Sequence, residues 1–143
     1  MTTFGHQILN KMFTLQQMKL AHAKVKSGAD FPAYVQEIKQ LGLLRYDFMV
    51  KDGRTVYHGA NGFQVSGEPI YGEKTISVQA SPAAVKQIIA EHQQGKTDFL
   101  TFCTLVADAG VERWVVDTDA MLCSYYDLSG NSIVAEPIPD GVY

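Results

Sequence analysis

Sliding the chain against itself by 68 residues lays Asp30-Phe31 on Asp98-Phe99, Gly42 on Gly110, Arg45 on Arg113, Tyr57 on Tyr125 and Gly62 on Gly130. The apolar pattern keeps the same offset. Phe31, Tyr34, Val35, Ile38 and Leu41 fall on Phe99, Phe102, Cys103, Val106 and Ala109, and Tyr46 and Phe48 fall on Trp114 and Val116. Identities cover roughly one position in five, so two amphipathic segments of similar plan remain the alternative to a duplication. A unit with two or three strands cannot bury a sheet face alone. The expectation is therefore one α+β domain built from a duplicated helix-helix-strand-strand unit, with pseudo-repeats at about 14–65 and 82–135. Its sheet should hold about five to seven mostly antiparallel strands, with four helices chiefly on one face. A cleft between the halves is the default ligand site.

Local signals place the elements. Thr14 with Gln17 fits a capping box, and Phe13 with Met18 a hydrophobic staple, predicting a helix from Leu15 to about Lys26 that Gly28 stops. Asp30 is expected to cap a second helix whose buried face is Phe31, Tyr34, Val35, Ile38 and Leu41, closed at Gly42 with Leu43 folding back on Ile38. Alternation at Tyr46, Phe48 and Val50, a turn at Asp52-Gly53 and the segment Thr55 to His58 predict a hairpin. Asn61-Gly62 leads to a short strand at Phe63 to Val65, then a loop from Ser66 to Gly72, then a strand around Thr75, Ile76 and Val78. Ser81-Pro82 opens the third helix, and Asp98 and Gly110 bound the fourth. Strands follow at about Arg113 to Asp117, Met121 to Tyr126 and Ser132 to Ala135, with an irregular tail from Glu136 to Tyr143.

With 143 residues the chain can bury a core without disulfides or metals. A net charge of −3, with no run of Lys and Arg, argues against nucleic acid as a partner. No apolar run approaches the roughly 20 residues of a membrane span. Met1 to Met12 lacks the basic-then-apolar order of a secretory signal, so a cytoplasmic protein is expected, in which Cys103 and Cys123 are free thiols.

The segments MFTLQQMKLAHAKVKSGADFPAYVQEIKQLG and HQQGKTDFLTFCTLVADAGVERWVVDTDAM resemble the YdfO-like and YbcV-like proteins. That is a small enterobacterial family of unknown function, often encoded within prophages. The likeness runs from Met12 to about Ile133 and implies a compact α+β fold and a prophage-associated origin. Some relatives carry the label "phage envelope protein". The resemblance supplies no catalytic residues, and residues 1–11 precede it as an alternative start or an extension.

Candidate chemistry is sparse. Cys103 lies near His92 and Asp98 in sequence, as a thiol nucleophile would, but it falls on the buried stripe of its helix. Histidines 6, 22, 58 and 92 lack metal-site spacing, and no metal or other cofactor is expected. His22 and His92 each end the first helix of a half, where they could line the cleft as pH-sensitive groups or simply bond the next helix start. Arg45 and Arg113 could clamp an anion in the cleft or pair with Asp47, Glu112 and Asp117 at the surface. Tyr57, His58, Tyr125 and Tyr126 suit a ligand wall, a partner surface or plain packing.

The candidate ligand site is thus His22, His92, Arg45, Arg113, Tyr57 and Tyr125, with no catalytic residue assigned. The leading reading is a non-catalytic accessory protein that binds a small ligand or a protein, as monomer or homodimer, away from nucleic acid and membrane. A small enzyme acting at the cleft and a structural virion component are the alternatives.

Overall fold

The structure is a computed structural model that describes residues 12–26 and 28–139. The expected extension at 1–11 and the last residues of the tail, 140–143, lie outside the described residues. Helix α1 (Leu15–His22) leads through a 3-10 turn (Gly28–Asp30) to α2 (Phe31–Gln40) and then to strands β1 (Arg45–Met49), β2 (Arg54–His58) and β3 (Gln64–Ser66). The order recurs as α3 (Pro82–Gln93), α4 (Phe99–Asp108), β4 (Arg113–Asp117), β5 (Leu122–Tyr126) and β6 (Ser132–Pro137). The chain is α+β, with one antiparallel sheet in the order β3-β2-β1-β4-β5-β6.

The caps form where the local chemistry requires them. Thr14 and Gln17 exchange both bonds of the capping box, and Phe13 and Met18 are fully buried. Ser81 and Asp98 accept the N–H groups of Ala84 and Thr101. The two second helices close alike: Leu43 N–H bonds Ile38 O at 3.1 Å, Val111 N–H bonds Val106 O at 2.9 Å, and Gly42 and Gly110 hold the left-handed position at φ 106° and 96°.

Strand alternation divides the sheet into two faces. Tyr46, Phe48, Tyr57, Trp114, Val116, Cys123 and Tyr125 are buried under the helices, which meet them through ring contacts such as Tyr34 with Tyr46 and Phe102 with Trp114. Arg45, Asp47, Met49, Arg113, Val115 and Asp117 point the other way and keep solvent contact. The halves join where β1 pairs with β4, Asp47 opposite Val115.

Several boundaries differ from the expectations. Helix α1 ends at His22, because Ala23, Lys24 and Val25 turn their N–H groups back on Lys19, Ala21 and His22 before the chain reaches Gly28. Asp30 does not cap α2 from its side chain; its carboxylate accepts the Lys26 N–H at 2.8 Å. Thr75 to Val78 is not a strand. Ser77 N–H and Ser81 N–H bond Ala107 O and Ala109 O, so this connection runs along the end of α4. Nor is the tail irregular from Glu136: β6 continues through Glu136 and Pro137, where proline is tolerated because β6 is an edge strand.

Candidate functional site

A cavity of about 940 Å³ lies between the helices and the buried face of the sheet. Its floor is aromatic. Tyr46 and Phe48 of β1, Tyr57 of β2, Trp114 of β4 and Tyr125 of β5 all line it. From the helices come Phe31 and Tyr34 of α2, Phe99 and Phe102 of α4, and the imidazoles of His22 and His92. Period-2 alternation puts the strand residues on one face, and helical spacing brings Phe31 and Tyr34, or Phe99 and Phe102, onto one stripe. Exposed Lys19, Glu68 and Gln93 mark where the lining reaches solvent.

The rings are in mutual contact. Phe48 stacks on Trp114 at 4.3 Å and meets Phe99 edge-on at 5.4 Å, while Trp114 lies 5.9 Å from Tyr125 and Tyr46 lies 6.0 Å from Tyr57. Burial raises the hydroxyls of Tyr34, Tyr46, Tyr57 and Tyr125 above the usual phenol range, so all four are neutral donors and acceptors at physiological pH. Burial also pushes the Cys123 thiol up to about 12. Cys103, wholly buried, is raised to about 11 by the same cause.

Of the six candidate residues, four come together and two do not. His22, His92, Tyr57 and Tyr125 line the cavity. Arg45 and Arg113 sit on the opposite face of the sheet, one residue out of phase with Tyr46 and Trp114, so the expected convergence of two guanidinium groups on the cleft does not occur. They make the surface pairs instead: Arg45 Nε lies 3.5 Å from Asp47, Arg113 Nε lies 3.4 Å from Glu112, and the Arg113 guanidinium covers the Tyr126 ring at 4.4 Å. The same alternation separates Tyr57 and Tyr125 from their outward neighbours His58 and Tyr126.

The two imidazoles behave differently. His92 Nδ1 lies 3.0 Å from Thr97 O, just before the cap of α4, and its ring stacks on Phe102 at 4.4 Å. His22 packs edge-on against Tyr34 and Phe99, each at 5.4 Å, and so touches a ring from either half while keeping part of its surface to solvent. Desolvation lowers the pKa of both, leaving them neutral at pH 7. Among the described residues, no three His, Cys, Asp or Glu side chains gather in a way that could hold a metal.

One part of the lining was missed in the sequence although it carries a signal there. Glu68-Pro69-Ile70 and Glu136-Pro137-Ile138 repeat at the same 68-residue offset, and all six residues line the cavity. The first triplet folds back over the β1–β2 turn, with Ile70 N–H bonding Asp52 O at 2.9 Å; the second begins in β6, where Glu136 lies opposite Cys123. The sequence places both in segments without helical or strand periodicity, where no repeating apolar pattern marks the correspondence.

No helix among the described residues is long and apolar enough to cross a membrane. The family model described as "Protein of unknown function (DUF1398)" matches residues 19–137, which include nearly all of the cavity lining, and the chain belongs to that family. It is also 33% identical over 63 residues to "Uncharacterized protein YcgX" of Escherichia coli (strain K12). That match covers 44% of this chain and 47% of the relative, so the chain spans about half the length of the curated protein it matches.

Proposed function

We propose that this member of the family is a non-catalytic accessory protein that takes a small, largely apolar ligand into the cavity between its helices and its sheet. The observation that carries this reading is the cavity itself. Protein interiors are packed with few voids larger than a water molecule. A space of about 940 Å³ ringed by aromatic side chains from both halves therefore has the dimensions of a ligand site, for which roughly 300–1,000 Å³ is usual. The chemistry of the lining supports binding over catalysis: its phenols and its one thiol are held neutral by burial, and the hydroxyl that His92 Nδ1 meets at 2.9 Å, Thr97 Oγ1, is not among the described residues of the cavity wall. The resemblance to YdfO-like and YbcV-like proteins supports a prophage origin. The recurrence of element order, closing turns and the Glu-Pro-Ile triplet supports duplication of one half.

The test is a screen of aromatic and apolar metabolites read by thermal shift and by quenching of Trp114, the single tryptophan, which lines the cavity. A ligand present at 100 times its Kd stabilises the folded state by roughly 2.7 kcal/mol. Thr55→Phe, which projects a ring into the cavity from β2, should weaken both signals. A screen in which no compound moves melting temperature and Trp114 emission together would overturn the reading.

A further inference from the structure

Resting on that reading, we infer that the cavity selects organic cations: molecules with a large apolar or aromatic body and a positively charged group. Two observations carry this. The first is the pair of carboxylates. Glu68 and Glu136 hold equivalent places in the two Glu-Pro-Ile triplets, one just beyond edge strand β3 and one in edge strand β6 at the other side of the sheet, and both line the cavity. Among the described residues neither has a cationic side chain within ion-pair distance, so no internal partner neutralises them. Glu136 stands opposite Cys123 on β5, and Cys123, Tyr125 and Glu136 all line the cavity, so this carboxylate borders the aromatic floor.

The second observation is what the lining lacks. Both arginines that would have favoured an anion are on the far face of the sheet, engaged with Asp47 and Glu112. The imidazoles are neutral at pH 7. Among the described residues, Lys19, on the exposed side of α1, is the one lysine or arginine in the lining. An anion entering this space would leave water for a wall of phenol and indole rings and two carboxylates, with little to replace its hydration. A cation meets the negative faces of aromatic rings, an attraction that strengthens as water is excluded. It also finds a carboxylate at either end. The apolar body supplies the burial energy and the charge supplies the discrimination.

Tetraphenylphosphonium and tetraphenylborate, of the same shape and opposite charge, test the inference directly alongside neutral N-phenyl-1-naphthylamine. Binding to the full chain is read by Trp114 quenching and by calorimetry. The phosphonium should bind at least about tenfold more tightly than the borate, and Glu68→Gln with Glu136→Gln together should remove most of that preference. Each single variant should remove part of it. Since Glu68 is exposed, its variant keeps the test valid even if Glu136→Gln fails to fold. If the borate binds as well as the phosphonium, or the neutral amine binds and neither ion does, cation selection is overturned while the ligand-binding reading stands. If none of the three binds, both fail.

Discussion

Phe48 and Trp114 stand directly opposite one another on β1 and β4, with ring centroids 4.3 Å apart and ring planes 18° from parallel. One ring belongs to each half. Together they floor the cavity at the strand pair that joins the halves, so a single contact serves both the core and the candidate site.

Phe48→Ala should therefore cost about 3–5 kcal/mol, the usual range for removing a buried phenylalanine. Because neither half can bury its sheet alone, loss of Trp114 emission and loss of helical circular dichroism should follow one denaturation curve. Two separated transitions would show that the halves fold independently.

Stability should fall on acidification from about pH 7 down through the unfolded histidine value of 6.5. The folded pKa of His92 is lowered, first by desolvation, against a hydrogen bond to Thr97 and the charge of Asp98, which raise it. Below its unfolded value of 6.5 the unfolded chain binds the proton more readily than the folded one, so stability present above pH 6.5 is lost as pH falls, until the folded group protonates as well. His22 contributes with the same sign. His92→Gln should flatten part of this slope in denaturant titrations run across that pH range, and a slope unchanged in the variant would assign the effect elsewhere.

Neither thiol should react in the native protein at neutral pH, since burial raises Cys103 to about 11 and Cys123 to about 12. A chromogenic disulfide reagent should report no fast phase in buffer and two thiols in denaturant. Cys103→Ala should cost about 1–2 kcal/mol through lost packing and leave ligand binding intact, because Cys103 is not in the cavity wall.

Two glycines of the second half should respond unequally to alanine. Gly95 has a left-handed φ of 78° and open space around it, so Gly95→Ala should cost about 1–2 kcal/mol of backbone strain. At Gly110, φ is 96° and an added Cβ would come within 2.6 Å of the Ala80 Cα. There the backbone of the 67–81 connection crosses the end of α4, so Gly110→Ala should cost about 1–3 kcal/mol more. Thermal unfolding of the two variants, side by side, measures the difference.

What the sequence determined by itself is what depends on near neighbours along the chain. The capping box at Thr14, the closing turns at Gly42 and Gly110 and the inward set Tyr46, Phe48, Trp114 and Val116 follow from bonds spanning a few residues or from the two-residue period of a strand. The same period also separated Arg45 from Tyr46 and Arg113 from Trp114, and so already placed the arginines away from any site walled by Tyr57 and Tyr125. Tertiary structure decided the rest. Thr75 to Val78 has the residues of a strand, but Ser77 finds its partner on α4 and not on the sheet. Glu136 and Pro137 read as tail, yet β5 offers them a free edge. Whether a backbone N–H meets a helix end or a strand edge, and whether two glutamates 68 residues apart face one cavity, depends on which surfaces are left unpaired once both halves have packed. No local energy along the chain encodes that outcome, because the competing partners differ only in distant contacts.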